Sequence, residues 1–233
     1  MKTLRFAIIQ ILPLLAPYLF VGVAFGVLIN QAGYPAAWAF FSSAFIYAGS
    51  MQIIMVPLLS AGAPLYMLAI MTFLVNARHI FYGIGFIDRF RSMGWRYPYM
   101  ALTLTDEVYS ILCAIKYPDD IDPWKADFMI ALLSHLLWIL SSTAGALLGQ
   151  ALPVDLTGID FSATAFFATV CVSQWMGPGS RIPALTGLAC AAGFMILVGA
   201  DRFLLPALSA SLVLLLFLKD FIGIRMGGAQ YDN

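Results

Sequence analysis

Charged residues are scarce in this chain. Only 10% of its 233 residues are Asp, Glu, Lys or Arg, and 62% are hydrophobic, whereas soluble domains carry about 25% charged residues. A soluble protein of this composition would expose large apolar patches, and a disordered one needs low hydrophobicity and high net charge. Basic and acidic residues balance at 12 each, which excludes a basic nucleic-acid-binding face. The composition therefore predicts a polytopic membrane protein.

Cysteine and histidine are also few. The three cysteines are far apart in apolar stretches, so no disulfide framework is predicted. The two histidines, His79 and His135, are not at metal-ligand spacing, and no metal or cofactor is predicted. His135 is expected to make hydrogen bonds between helices. The chain has no phosphate loop and no G-x-S-x-G nucleophile motif, so we do not expect an enzyme.

Long apolar runs fill most of the chain. No charged residue lies between Arg5 and Arg78, which leaves room for about three crossings at roughly 20 residues each. The runs are continuous rather than alternating, which favours helices over a barrel. We predict an all-α polytopic membrane protein, a single transmembrane domain over residues 1–233 with about six to eight membrane helical segments. The predicted segments are 6–28, 36–59, 65–86, 97–115, 128–150, 161–176, 182–200 and 203–218.

Some of these segments are expected to be broken or re-entrant. Ala48-Gly49-Ser50-Met51-Gln52 interrupts the second segment, and irregular backbone at membrane depth is tolerated only against protein or a water-filled cavity. Segment 161–176 is interpreted in the same way. The positive-inside rule then places the N-terminus in the cytoplasm and the acidic 116–127 loop outside, with six crossings. A model of seven or eight plain spans fits the sequence equally well.

Two motifs recur at the same separation along the chain. Gly22-x-x-x-Gly26 is matched by Gly145-x-x-x-Gly149, and residues 74–77 are matched by residues 197–200. The matches suggest half-repeats over 6–116 and 127–218 in opposite orientations, a pattern typical of transporters. Two short matches in an apolar sequence also arise by chance. The glycine spacing itself predicts close approach of another helix.

Two adjacent pairs of charged or histidine residues lie inside predicted spans, in addition to His135. Arg78-His79 and Asp106-Glu107 fall where a charge costs about 2.5–3.5 kcal/mol on insertion scales. Arg78 and Tyr82 share a helix face at i, i+4. Adjacent helical residues point about 100° apart, so one carboxylate is expected to pair with Arg78 and the other to face a pathway. The alternatives are a purely structural ion pair at Arg78 and carboxylates that lie near the membrane interface.

Several motifs in order resemble the AzlC family, the large subunit of bacterial branched-chain amino acid exporters. Tyr47 replaces the phenylalanine usual in the family. The motifs are Gly22-x-x-Phe25-Gly26, Tyr47-Ala48-Gly49-Ser50-Met51-Gln52, Asn76-x-Arg78-His79-x-x-Tyr82-Gly83, Thr105-Asp106-Glu107, and Asp160-Phe161 before Ala165-Phe166-Phe167.

The resemblance implies a multi-pass protein of the bacterial inner membrane that exports valine, leucine, isoleucine or analogues. It also implies use of the proton motive force and a small AzlD-type partner subunit. The alternative functions are a channel and a non-transporting membrane assembly subunit; the interrupted segments favour a pathway. Asp106 and Glu107 are the predicted proton-coupling residues. The predicted substrate-binding residues are Tyr47, Gly49, Ser50, Gln52, Asn76, Arg78, His79 and Tyr82.

Overall fold

A computed structural model describes residues 2–151, 168, 171, 172, 175, 181–199 and 203–228. The described residues form helices and no strand, which confirms the all-α prediction. The helices are α1 (Lys2–Gln31), α2 (Ala36–Phe45), α3 (Gly49–Ser60), α4 (Leu65–Arg91), α5 (Tyr97–Leu102), α6 (Asp106–Ala114), α7 (Pro123–Ala151), α8 (Ile182–Val198) and α9 (Leu204–Gly228), with a 3₁₀ turn at Gly94–Arg96.

The chain divides into two compact units, 1–163 and 164–233. In the second unit α8 and α9 pack against each other. The predicted re-entrant segment 161–176 and the motif residues Asp160, Phe161 and 165–167 lie outside the described residues, apart from 168, 171, 172 and 175. The first unit contains every other predicted site residue.

Helices α1 and α7 pack along their whole lengths through glycines. A Cβ on Gly26 would overlap the Ser142 carbonyl oxygen, and a Cβ on Gly145 would overlap that of Val23. Small residues of this kind let two backbones touch, which replaces the hydrophobic driving force that lipid removes. The close approach predicted from the glycine spacing is therefore confirmed, and the two glycine motifs are each other's partners.

The contacts between α1 and α7 show that the two helices run in the same direction. Gly22 meets Ser141, Gly26 meets Gly145, and Asn30 meets Gly149. The parallel direction differs from the opposite orientations expected of helices that open two inverted halves. The half-repeat boundaries themselves stay a prediction.

A salt bridge shows that the N-terminus and the acidic loop before α7 lie at the same end of the first unit. Lys2 Nζ lies 2.9 Å from Asp120 Oδ2, so the N-terminus and the acidic loop share one end of the unit. We call this the N-terminal end, and the end where α1 finishes the opposite end. The prediction that the 116–127 loop lies across the membrane from the N-terminus was wrong, because the preceding segment does not cross.

Helices α2 and α3 form a hairpin that enters from the opposite end. Helix α2 ends at Phe45, the chain turns at Tyr47, and α3 begins at Gly49. Gln52 Nε2 lies 3.3 Å from Ser42 Oγ and 3.2 Å from Ser43 Oγ, so α3 returns beside α2. Tyr47 has φ +43°, a left-handed conformation that is a genuine outlier for a bulky residue. The predicted re-entrant element at 48–52 is confirmed.

Helices α5 and α6 form a second hairpin, which enters from the N-terminal end. Tyr99 packs on Phe128 near the start of α7, and the Leu112 carbonyl accepts a bond from Arg89 at that same end. Between them the chain reverses at Thr103–Thr105. The single span predicted over 97–115 was wrong: Thr105 caps a new helix by accepting from the Val108 amide, as Ser, Thr, Asp and Asn do at helix starts.

Three long helices surround the hairpins. Among the described residues, α1 and α7 are long and apolar enough to cross a membrane, and α4 is a third such span if its two parts, bent by 57°, are counted together. An apolar core at the N-terminal end joins α1, α4, the second hairpin and α7. Its fully buried members include Ala7, Phe90, Met100, Val108, Ile130 and Ala131.

Candidate functional site

The tips of the two hairpins meet beside Tyr18, in the middle of α1. The Tyr18 hydroxyl lies 3.4 Å from the Tyr47 hydroxyl at the first tip and 3.3 Å from Thr105 Oγ1 at the second. It also donates to Glu107 Oε2 at 3.2 Å. Tyr18, Tyr47 and Thr105 are all buried. The hairpins therefore bring two helix starts from opposite ends to a common point inside the unit.

Both helix starts have a positive dipole end, and the backbone amides of the first turn have no acceptor within their own helix. An α-helix carries roughly half a positive charge at its N-terminus. Helix α3 begins at Gly49 and has no side-chain cap, whereas α6 begins with Asp106 and Glu107 in its first turn. The dipole of α6 stabilises these two carboxylates, which explains how adjacent acids are accommodated within an apolar protein. The start of α3 keeps its positive potential available to an anion.

Arg78, from α4, connects the two helix starts. Its Nη2 lies 3.0 Å from Ser50 Oγ in α3 and 2.8 Å from Asp106 Oδ2 in α6. Tyr82, one turn later, donates to Asp106 Oδ1 at 2.6 Å. The predicted pairing of Arg78 with an acid of the 106–107 pair and the shared face of Arg78 and Tyr82 are both confirmed.

The Arg78–Asp106 pair retains open hydrogen-bonding capacity. Its side chains are 36% and 35% exposed, and Arg78 Nε has no hydrogen-bond partner among the described residues although the atom is buried. Buried polar atoms are normally paired, and an exception calls for an explanation. The exposed part of the guanidinium is free to donate to a further acceptor, such as a bound carboxylate.

Gln52 serves the hairpin rather than the open site. Its side chain is 0% exposed, and its Oε1 accepts from Trp138 Nε1 at 2.9 Å while its Nε2 contacts the serines of α2. The amide is thus bonded at both ends to protein. Gly49 packs nearby, since a Cβ there would lie 3.4 Å from the Trp138 ring. Gln52 and Gly49, both predicted site residues, thus contribute to the packing of the first hairpin against α7.

His135 joins both hairpins to α7. Its Nε2 lies 3.1 Å from the Ser43 carbonyl oxygen, and its Nδ1 lies 3.1 Å from the Tyr99 hydroxyl. The carbonyl requires a donor, so Nε2 carries the proton and Tyr99 donates to Nδ1 in the neutral ring. Its ring also stacks on Tyr47 at 4.3 Å between centroids. The predicted role in bonding between helices is confirmed.

Two further predicted residues lie on α4 around the arginine. His79 Nδ1 is 3.1 Å from the Asn76 carbonyl oxygen, and its ring meets Tyr82 edge-on. The Asn76 side-chain oxygen is buried and has no partner among the described residues. Residues two apart on a helix point about 200° apart, so Asn76 and Arg78 do not face one site.

A second arginine–aspartate pair lies at the N-terminal end. Arg89 Nε and Nη2 lie 2.7 and 2.6 Å from the two Asp127 oxygens, and the Tyr117 hydroxyl bonds both partners. Burial and the neighbouring carboxylate raise the pKa of Tyr117 above its usual range. This pair was not predicted, because the sequence pattern assigned Arg89 and Asp127 to loops next to the predicted spans.

The site offers ion pairing and proton exchange. Within the described ranges, no three His, Cys, Asp or Glu side chains lie close enough to hold a metal ion. The groups that converge are a guanidinium, two carboxylates, five hydroxyls and two helix starts. The guanidinium and the carboxylates present opposite charges at a short separation, which complement the two charges of a zwitterion. Tyr18 and Thr105 are the members that sequence reasoning missed; Thr-Asp-Glu before an apolar run was the available helix-start signal.

A family model described as AzlC protein matches residues 13–152. The chain is 34% identical over 209 residues to the branched-chain amino acid transport protein AzlC of Bacillus subtilis, covering 89% of this chain and 82% of that protein. It is 36% identical to an uncharacterized membrane protein of Helicobacter pylori, covering 94% and 97%, and 28% identical to the inner membrane protein YgaZ of Escherichia coli, covering 70% of each. No solved structure matches the chain.

Proposed function

Because the chain belongs to the AzlC family, we propose that it is a secondary transporter that exports branched-chain amino acids across the bacterial inner membrane. A similar protein of Bacillus subtilis is named for branched-chain amino acid transport. The name supports the substrate class. Export, proton coupling and a small AzlD-type subunit as partner are parts of the proposal.

The open side of Arg78 is the observation that carries the proposal. Its guanidinium lies between Ser50 and Asp106, at the starts of α3 and α6, and 36% of the Arg78 side chain is exposed. We assign the substrate carboxylate to this guanidinium and to the amides at the start of α3, where the helix dipole is positive. Arginine suits this role because its planar fork matches a carboxylate in two bonds.

The ammonium group of the substrate is assigned to the carboxylates of α6. Asp106 is already paired with Arg78, whereas the Tyr18 hydroxyl is the only side-chain partner of Glu107 among the residues that the structure describes. Glu107 is therefore the acid with spare capacity for a cation. When Glu107 takes up a proton it loses its charge and its attraction for the ammonium. A proton arriving from outside thus favours release of the amino acid, and loss of the proton to the cytoplasm restores binding.

The direction of the protein in the membrane follows from its basic residues. The N-terminal end of the first unit holds the Lys and Arg residues of 2–151 other than Arg78, and the sequence has no charge in 24–77 or 128–151. Basic residues favour the cytoplasmic side. The N-terminus is accordingly proposed to be cytoplasmic, and Lys116 and Lys125, exceptions in the predicted topology, then obey the rule.

The test is counterflow in proteoliposomes that contain the protein coexpressed with its small partner. Vesicles loaded with unlabelled leucine are diluted into labelled valine, leucine, isoleucine, alanine or lysine. We expect saturable exchange of the three branched-chain amino acids and at least a tenfold loss in Arg78→Ala. Arg91→Ala, on the same helix but exposed, is the control and should exchange normally.

Other results of the same assay separate the alternatives. Linear, non-saturating flux with no exchange would indicate a channel. Absence of flux for every amino acid, with normal amounts of protein in the vesicles, would indicate an assembly subunit. Normal exchange in Arg78→Ala would remove the arginine from the site.

A further inference from the structure

The Tyr18 hydroxyl occupies a position that the proposed binding of substrate does not use. It contacts α6 through Glu107, the second hairpin tip through Thr105 and the first tip through Tyr47, at 3.2, 3.3 and 3.4 Å. Hydroxyl hydrogen bonds centre near 2.7–2.8 Å. All three bonds are thus long and nearly equal, so none of the three partners holds the hydroxyl alone.

We propose that Tyr18 is the positioning residue that transmits the protonation state of Glu107 to the tip of the first hairpin. A phenol has one proton to donate and accepts through its oxygen. An ionised Glu107 only accepts, so the Tyr18 proton goes to it, and Tyr47 and Thr105 donate to the Tyr18 oxygen. This inference rests on the proposed function.

Protonation of Glu107 reverses that arrangement. The proton from water forms an O–H bond on the carboxyl group, which then donates to the Tyr18 oxygen. Tyr18 keeps its own proton and turns it toward Tyr47 or Thr105. Deprotonation of Glu107 to water restores the first arrangement, so no net proton is left on the tyrosine.

The first tip is the element that responds. Tyr47 has φ +43°, and such backbone conformations are strained and persist only where surrounding contacts impose them. The contacts here are the Tyr18 hydroxyl and the stacked His135 ring. Three residues later Ser50 contacts Arg78. A change in the hydrogen bond between Tyr18 and Tyr47 therefore affects the position of Ser50, which lies beside the proposed site of the substrate carboxylate.

Other titratable groups around Glu107 have separate partners. His135 of α7 faces the Tyr47 ring and is bonded to Ser43 and Tyr99. From α4, Arg78 and Tyr82 both contact Asp106. Among the side chains that the structure describes, Tyr18 alone makes a hydrogen bond to Glu107.

Tyr18→Phe tests the proposal because it removes one oxygen and keeps the ring. In proteoliposomes, leucine exchange should stay above half of wild type, whereas accumulation driven by a pH gradient should fall at least tenfold. Tyr66→Phe, in an exposed position at the start of α4, is the matched control and should match wild type in both assays. Retention of gradient-driven accumulation, or equal loss of both activities, would overturn the proposal.

A second measurement needs no substrate. Amide hydrogen exchange of peptide 46–52, corrected for the intrinsic effect of pH, should change with pH in wild type and stay constant in Glu107→Gln and in Tyr18→Phe. A pH-dependent change that persists in Tyr18→Phe, or its absence from wild type, rejects the role of Tyr18. Absence of amino-acid exchange in wild type rejects the proposed function instead, so the two failures are distinguishable.

Discussion

Two arginine–aspartate pairs lie along α4 and differ in how far water reaches them. Arg78 lies in the first part of α4 and Arg89 in the second, on either side of the 57° bend. The Arg89–Asp127 pair is bidentate, receives Tyr117, and has an aspartate that is 0% exposed. The Arg78–Asp106 pair has one ionic contact, an unpaired Nε and about a third of each side chain exposed.

The comparison separates a structural pair from the pair that is proposed to bind substrate. Completed hydrogen bonds leave Arg89 nothing to offer a ligand, and the pair ties α4 to α7 at the N-terminal end. Incomplete bonding leaves Arg78 able to exchange partners. A third pair, Lys2–Asp120, has side chains that are 78% and 56% exposed, and exposed ion pairs contribute little to stability. The three pairs thus form a series in which stability should fall and adaptability should rise with exposure.

The largest expected effect is on the buried pair. Asp127→Ala leaves the partly buried Arg89 without its countercharge, and removal of one partner from a buried pair costs about 3–5 kcal/mol. Denaturant unfolding in detergent micelles measures the free energy of unfolding. Asp106→Ala is the control, with an expected loss of about 1 kcal/mol or less. Similar losses in the two variants would contradict the comparison.

The next largest effect concerns the packing of α1 on α7, the helix that carries Asp127. Gly145→Ala inserts a Cβ against the Val23 backbone, and overpacking of this kind costs about 1–3 kcal/mol. It should lower the stability of the α1–α7 contact and with it that of the buried pair. Gly85→Ala on α4, where a Cβ meets nothing within 4 Å, is the matched control. An unchanged unfolding curve for Gly145→Ala would show that the two helices adjust freely.

A pair of lysine substitutions separates transport from stability. Arg78→Lys should lower the free energy of unfolding by about 1 kcal/mol or less, yet reduce leucine exchange at least tenfold, because lysine lacks the planar fork. Arg89→Lys should do the reverse, lowering stability while exchange per folded molecule stays above half. Both quantities come from one preparation of each variant. The division of roles fails if both substitutions reduce exchange equally.

The smallest effect belongs to the exposed pair and depends on pH. The hydrogen bond from Lys2 holds the pKa of Asp120 below its usual value, so the stabilisation is present above that usual value and is lost as pH falls through the lowered pKa. The difference in the free energy of unfolding between wild type and Asp120→Asn should be small at pH 7. It should vanish once the pH is below the lowered pKa of Asp120. A difference that widens on acidification would have the wrong sign.

The sequence predicted the first hairpin and missed the second. Glycine and serine at 49–50 break a strongly apolar run, and such a break has few explanations inside a membrane. Over 97–115 the residues are apolar enough to look like one span, and Asp106-Glu107 looked like charges within it. Read as a helix start, Thr105-Asp106-Glu107 would have divided that run.

The missed hairpin also explains the topology error. One crossing fewer between Arg96 and Lys116 keeps the acidic loop at the N-terminal end, beside Lys2. Asp127 then falls inside α7 and under Arg89, rather than in a loop across the membrane. One local misreading therefore hid the buried pair, since no pattern in either stretch alone identifies its partner.

The amino-acid sequence by itself determined the class of the protein, the break at Gly49 and the few ionisable residues at membrane depth. Those follow from transfer free energies and backbone preferences, which belong to single residues and short segments. The tertiary structure decided that the two hairpin tips meet at Tyr18, that Asp106 pairs with Arg78, and that Asp127 is buried with Arg89. Partner choice depends on which helices pack together, and helices far apart in the chain, such as α1 and α7 with their glycine contacts, meet only in the folded protein.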